Sequence, residues 1–207
     1  MMRITGGKAR GIPLKAPGGQ ATRPATDQMR EAVFSSLGTA VEGARVADLF
    51  AGTGAYGLEA MSRGAAGGLF VENSGDALAC LRGNLEAVAK SCGLASTGEW
   101  PVLACKVYAL DATQGPFDLV FVDPPYALIE SKIQDIFREN ISPLVAAEGR
   151  VCLEMPGALT IEFPGWECVR RLGKSGKDKP SAGIYRRAGD DWNKEIRKAG
   201  KVSGRDA

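Results

Sequence analysis

The sequence predicts an α/β fold built on a mostly parallel, doubly wound sheet, and three observations carry that expectation. Apolar runs of strand length alternate with helical periodicity across most of the 207 residues. A glycine-rich turn (Gly52, Gly54, Gly57) follows the first such run and opens a helix. An acidic residue, Glu72, closes the next run, an arrangement that suits a ligand at the carboxyl edge of a parallel sheet. With 44% hydrophobic and 24% charged residues, the chain has the balance of one globular domain rather than two.

Each element follows from local pattern. Residues 3–15 hold two short β-compatible runs punctuated by Gly6, Gly7 and Gly11, which predicts a small basic hairpin within residues 1–16. Met29, Val33 and Leu37 recur at helical spacing behind a Thr/Asp start and before Gly38, predicting a helix over 26–37. The core, 45–188, reads as strands 46–50, 68–71, 102–107, 118–122, 150–154 and 181–187, with helices near 55–63, 76–90 and 131–139. Residues 189–207 lack apolar periodicity and read as a polar tail.

Composition narrows the chemistry. There is no histidine, which excludes Ser-His-Asp triads, Cys-His pairs and histidine-ligated metals. The five cysteines are odd in number, widely spaced and never C-x-x-C, so they indicate reduced thiols and no metal site. No run approaches the roughly 18 apolar residues of a membrane helix, and the start lacks a secretory apolar core, so a cytoplasmic protein without a membrane partner is expected. Charge is segregated: six basic residues against one acidic in 1–30, and twelve against six in 166–207, around an acidic middle. Basic ends flanking an acidic body fit an enzyme acting on a polyanion.

Two motifs carry the function. In DLFAGTGAYGLEA (48–60) the glycines let the chain turn tightly and a ligand approach without Cβ interference, and Glu72 is placed to accept hydrogens from ribose hydroxyls. Spacing alone also fits a dinucleotide site, but Asp48 suits the cationic amino group of a methionine moiety and would repel a pyrophosphate. In FDLVFVDPPY (117–126) a buried strand ends in Asp123, Pro124, Pro125 and Tyr126. The prolines fix φ and leave carbonyls as acceptors on a stiff frame. An exocyclic base amine is a poor nucleophile because its lone pair is delocalised. Asp123 and the Pro124 carbonyl can take its two hydrogens while Tyr126 stacks on the ring, at roughly 1–3 kcal/mol per base. With an activated methyl donor, such positioning can recover about 7–11 kcal/mol of barrier.

At these residues the sequence resembles the bacterial small-subunit (16S) ribosomal RNA guanine-N2 methyltransferases. The resemblance runs from RITGGKARG (3–11) through TRPATDQMREAVFSSL (22–37), DLFAGTGAYGLEA and FVDPPY to AGIYRR (182–187), nearly the whole chain. It implies a Rossmann-like class I methyltransferase fold, with a seven-stranded sheet, helices on both faces and an N-terminal hairpin, and S-adenosylmethionine as cofactor. It further implies Asp48, Phe50, Gly52, Gly54 and Glu72 around the methionine and ribose, Asp111 and Ala112 near the adenine, and Asp123 to Tyr126 around the target base. Arg3, Lys8, Arg10, Arg23 and Arg30 are candidate RNA phosphate contacts. The implied partner is small-subunit ribosomal RNA or the assembling small subunit, met by a monomer. Adenine-N6 methylation of DNA or RNA, a non-catalytic RNA-binding module and a NAD-dependent oxidoreductase stay open as alternatives.

Overall fold

A computed structural model describes residues 2–18, 24–176 and 179–189. Its centre is a seven-stranded sheet: β1 (Arg45–Leu49), β2 (Gly67–Glu72), β3 (Val102–Ala104), β4 (Phe117–Val122), β5 (Val145–Pro156), β6 (Trp166–Gly173) and β7 (Pro180–Arg187). The order is β3-β2-β1-β4-β5-β7-β6; β1 to β5 are parallel, and β7 runs antiparallel to both β5 and β6. The predicted α/β class and mostly parallel sheet are observed.

Period-two alternation sorts the strand residues into two cores. Val46, Phe70, Leu119, Phe121, Cys152 and Ile184 pack with α1 (Pro24–Leu37), α2 (Ala55–Ser62) and α3 (Gly75–Cys92) on one face. Ala47, Leu49, Val71, Val120, Val122 and Leu153 pack with α4 (Tyr126–Ile136) and the wide helical turn Phe137–Ile141 on the other. The same alternation puts Asp48, Glu72, Asp123 and Glu154 on the α1–α3 face. They stand at the carboxyl ends of the four adjacent strands β1, β2, β4 and β5.

Several boundaries differ from the pattern-based expectation for physical reasons. The helix expected over 26–37 starts at Pro24, where proline's missing N–H costs nothing, and stops before Gly38 at φ 57. The strand expected over 102–107 ends at Ala104 and gives way to a 3-10 turn, Val107–Ala109. The helix expected near 131–139 begins at Tyr126 on the Pro125 cap. β5 starts five residues early, at Val145, and β6 was not anticipated, being an edge strand with much of its surface in solvent. The N-terminal segment folds back with ladder bonds Ile4 N to Ile12 O and Leu14 N to Met2 O. Only Arg3 and Pro13 form a true β-bridge, so it is a hairpin held by its neighbours more than by its own ladder.

Those neighbours centre on Glu59 of α2, which is fully buried. Its two oxygens accept from Thr5 N, Thr5 Oγ1 and Gly6 N at 2.8 Å, from Arg63 Nε at 2.8 Å and from Arg30 Nε at 3.2 Å. Arg30, 1% exposed, also pairs with Asp27 at 2.9 Å and donates to the Arg3 carbonyl. Ser62 adds hydrogen bonds to Ala9 N and Gly6 O, and Gly7 (φ 76) approaches so closely that a Cβ would sit 1.9 Å from the Ser62 carbonyl. Arg30→Met strands the buried Glu59 carboxylate without its α1 partner. We expect a loss of about 3–5 kcal/mol in unfolding free energy, read by urea denaturation, with early hydrogen exchange at Thr5 and Gly6.

Candidate functional site

The site forms where β1 and β4 end and their connections diverge. After β1 the chain turns sharply: Phe50 adopts φ 63, Gly52 φ 54 and Gly54 φ 79. A left-handed Phe costs about 1–3 kcal/mol and persists only where surroundings enforce it. The glycines have different reasons for being glycine. A Cβ on Gly54 would lie 2.3 Å from Leu81 and one on Gly57 2.3 Å from Phe70, so both serve packing. A Cβ on Gly52 would meet nothing, so this is the glycine that faces open space where a ligand can approach.

Beside that turn lies a recess of about 150 Å³, walled by Phe50, Val71, Val107, Tyr108, Pro125 and Leu128, with Glu72, Asn73 and Lys106 at its polar edge. Ligand pockets commonly span about 300–1,000 Å³, so this one has room for one end of such a ligand, and its size and apolar lining suit a flat ring system. Glu72 is fixed by backbone donors: Oε2 accepts from Gly52 N at 2.7 Å, and Oε1 from Asn73 N and Ser74 N at 2.7 and 2.8 Å. A carboxylate has about four acceptor positions, so Glu72 retains capacity for one ribose hydroxyl rather than two. An S-adenosyl cofactor fits this set: a turn open at Gly52, an acceptor at ribose height and an apolar slot for a purine.

Asp48 sits beneath the turn. It is 2% exposed, and its Oδ2 accepts from Gly57 N at 2.8 Å. Burial, with Asp123 and Glu72 nearby, pushes its carboxyl up to about 8, against the lowering effect of the Gly57 bond and Arg30. It therefore holds the loop in the first instance, and a cation arriving above it would draw its proton off.

Across the sheet, Asp123 follows Val122 at the end of β4. Its side chain is reached by solvent but stands in a recess crowded by protein, and that loss of hydration raises its carboxyl above the ordinary range. Pro124 is buried; Pro125 and Tyr126 are exposed, the Tyr126 ring standing 47% open at the start of α4. Pro125 spends its carbonyl on Leu128 N and Ile129 N at 2.8 and 3.3 Å, which fixes α4 to the turn.

A family model described as Conserved hypothetical protein 95 matches residues 2–179. The chain belongs to that family. Ribosomal RNA small subunit methyltransferase D of Escherichia coli K12 is 36% identical over 135 residues, 64% of this chain and 65% of that protein. YlbH of Bacillus subtilis is 34% identical over 134 residues, 60% of this chain and 67% of that protein. The matched region thus spans about two thirds of these curated relatives. The solved structure of yhhF from Escherichia coli superposes with a TM-score of 0.73 at 31% identity, covering 91% of this chain and 99% of that one. These relatives make it a family of small-subunit ribosomal RNA methyltransferases, and the Rossmann-like methyltransferase fold goes with it.

Within this family fold the anticipated residues separate. Asp48, Phe50, Gly52, Gly54, Glu72 and Asp123 to Tyr126 gather at one edge of the sheet. Asp111 and Ala112 do not line the recess: Asp111 Oδ1 accepts from Thr113 N at 2.9 Å and caps the 3-10 turn Ala112–Gln114. The wall expected of them is supplied by Cys105, Lys106, Val107 and Tyr108. Arg30 is buried in ion pairs and cannot meet a phosphate. Arg3, Lys8 and Arg10 are exposed, and Arg23 lies outside the described residues. The hairpin tip, however, bonds through Lys8 N to the Ser62 carbonyl at the far end of α2. That end is eight residues, or about 12 Å of helix, from the glycine turn. Exposed basic residues near the site are instead Lys106, at the edge of the recess, and Lys174 and Lys179, whose backbone carbonyls meet Gly157 just beyond β5. Among the described residues no acid or cysteine cluster could hold a metal ion, and no helix is long and apolar enough to cross a membrane.

Glu72→Ala removes both the ribose acceptor and the tether of the Gly52 turn. We expect S-adenosylhomocysteine affinity to fall at least about tenfold by calorimetry, as for a lost charge-assisted hydrogen bond.

Proposed function

We propose that this chain transfers a methyl group from S-adenosylmethionine to the exocyclic N2 of one guanine in small-subunit ribosomal RNA. The observation that carries the reading is the D-P-P-Y turn at the end of β4, immediately beside the glycine turn and the Glu72 recess. S-adenosylmethionine supplies an activated methyl on a sulfonium centre. Phe50, Glu72 and Tyr108 hold its nucleoside end, and the Gly52 turn leaves room for the chain that leads toward Asp123.

The protein's own work is positioning. Asp123 accepts one N–H of the amine and the Pro124 carbonyl the other, which turns the nitrogen lone pair toward the donor. Tyr126 covers the ring face. The base must leave its stack to reach this edge, and an exposed aromatic ready to stack lowers that cost. Asp123 touches the reacting nitrogen and is the catalytic residue; it can carry away the proton that the methylated amine releases. The relatives' names, which specify small-subunit ribosomal RNA, support the choice of substrate. Phosphate contacts supply much of nucleic-acid affinity; we assign them to Lys174 and Lys179, which are exposed and whose backbone carbonyls pack at Gly157, just beyond β5.

The test is transfer of labelled methyl to naked small-subunit RNA and to partly assembled small subunits, with product nucleosides identified by mass spectrometry. N2-methylguanosine at one position is expected; N6-methyladenosine would overturn the base assignment, and no transfer to any nucleic acid the whole reading. Asp123→Ala should lower kcat by about 10²–10⁴-fold with S-adenosylhomocysteine affinity unchanged. In the parent enzyme only the carboxylate serves, and its pKa is raised. Activity should therefore rise with pH through a midpoint well above the ~4 of an ordinary aspartate. Lys174→Glu with Lys179→Glu should weaken RNA binding and flatten its salt dependence, measured by filter binding across a salt series, without altering cofactor affinity.

A further inference from the structure

Glu154 has no assigned role, yet it occupies the neighbouring strand end to Asp123. The parallel register pairs Val122 with Leu153, so Asp123 and Glu154 follow side by side, on strands about 4.8 Å apart. Both belong to the α1–α3 face, where Phe121 and Cys152 precede them by two residues. Glu154 is half-buried, and its Oε1 accepts from the Tyr56 hydroxyl. Tyr56 is itself immobilised: 8% exposed, its ring is stacked on Phe121 at 5.2 Å and 20°, with Phe34 at 6.2 Å. Among the described residues no cation forms an ion pair with Glu154. Arg30 acts on it only from a distance; a carboxyl kept in a recess without a cation in direct contact is costly, and such groups concentrate where they contact a ligand.

Resting on the guanine-N2 reading, we propose that Glu154 contacts the target guanine at N1–H while Asp123 holds N2, with Tyr56 as the positioning residue that orients it. N1 is bonded to the carbon that bears N2, so once Asp123 has engaged the amine, the next donor along the base edge faces the next strand. A carboxyl offers an acceptor oxygen in either protonation state. Burial and the Asp123 charge favour the neutral form, in which the O–H can also donate to guanine O6. Two strand ends then fix the base in its own plane, with Tyr126 covering its face.

The experiment compares Glu154→Ala, Glu154→Gln and Tyr56→Phe in methyl transfer to small-subunit RNA, alongside S-adenosylhomocysteine affinity and melting temperature. Glu154→Ala should lose about 10- to 100-fold, as for a lost hydrogen bond in a buried site, and the loss should fall in kcat, since phosphate contacts dominate RNA affinity. Glu154→Gln keeps an acceptor and a donor and should remain within about threefold of the parent. Tyr56→Phe should fall between them, and cofactor affinity should stay unchanged throughout. Parent-like kcat in Glu154→Ala would overturn the proposal, as would a Gln variant that fails as badly as Ala with an equal fall in melting temperature. The product nucleoside separates the two readings. N2-methylguanosine together with an active Glu154→Ala sinks only this inference, whereas any other methylated base from the parent enzyme sinks the guanine assignment beneath it.

Discussion

The buried carboxylate of Glu59 is the interaction on which the other arrangements depend. It sits midway along α2, the helix that begins at the glycine turn, and ties that helix to α1 through Arg30 and to the N-terminal hairpin through Thr5 and Gly6. A charge so deeply placed is tolerated only when every lone pair is occupied and a cation stands beside it; Arg30 and Arg63 meet that condition. The consequence reaches the site, because α2 fixes both Gly54, which ends the cofactor turn, and Tyr56, which holds Glu154. Asn84 extends the same anchoring from α3, bridging the Thr53 and Lys15 carbonyls at 3.0 and 2.9 Å.

The site is a row of acids along one edge of the sheet. Asp48, Glu72, Asp123 and Glu154 end four adjacent strands and share one face, so Asp123 and Glu72 raise the cost of ionising Asp48, and Asp123 that of Glu154, beyond what burial alone does. Glu72 alone is held by three backbone donors, which leave it one free acceptor position. The remaining three are poised to accept hydrogens or a cation. That is a sensible electrostatic floor for a positively charged methyl donor and an amine that becomes cationic as it is methylated, because both developments relieve the repulsion already present.

Legibility in the sequence followed whether a residue's role is set locally or by distant packing. The glycine turn and D-P-P-Y could be read because unusual backbone geometry dictates residue type on the spot: left-handed φ at Gly52 and Gly54, fixed φ at Pro124 and Pro125. The apolar wall of the recess could not, since Cys105 to Tyr108 contribute by shape and follow a strand only three residues long; Asp111, the more conspicuous acid downstream, caps a turn. Arg30 looked like a surface cation because nothing near it in sequence reveals that Glu59, 29 residues away, will bury it. β6 escaped notice because WECVRRLG places arginines in an edge strand and so lacks the apolar alternation of the others. Glu154 had no motif around it; its meaning arises only from the register that sets it against Asp123.

The basic character of the two chain ends also divides once folded. The hairpin tip, with Lys8 and Arg10, lies at the amino edge of the sheet beside the end of α2, whereas Lys174 and Lys179 meet Gly157 at the carboxyl edge, just beyond β5. A polyanion spanning both would have to run along the α1–α3 side of the molecule, over a path of at least the ~12 Å length of α2. Two separated basic patches bind a folded RNA better than a flexible single strand, because their fixed spacing rewards phosphates already held at a matching distance. On the proposed reading, the acidic edge between them would repel backbone phosphates and admit a neutral base, so the charge pattern that gathers an RNA would also select which part of it enters.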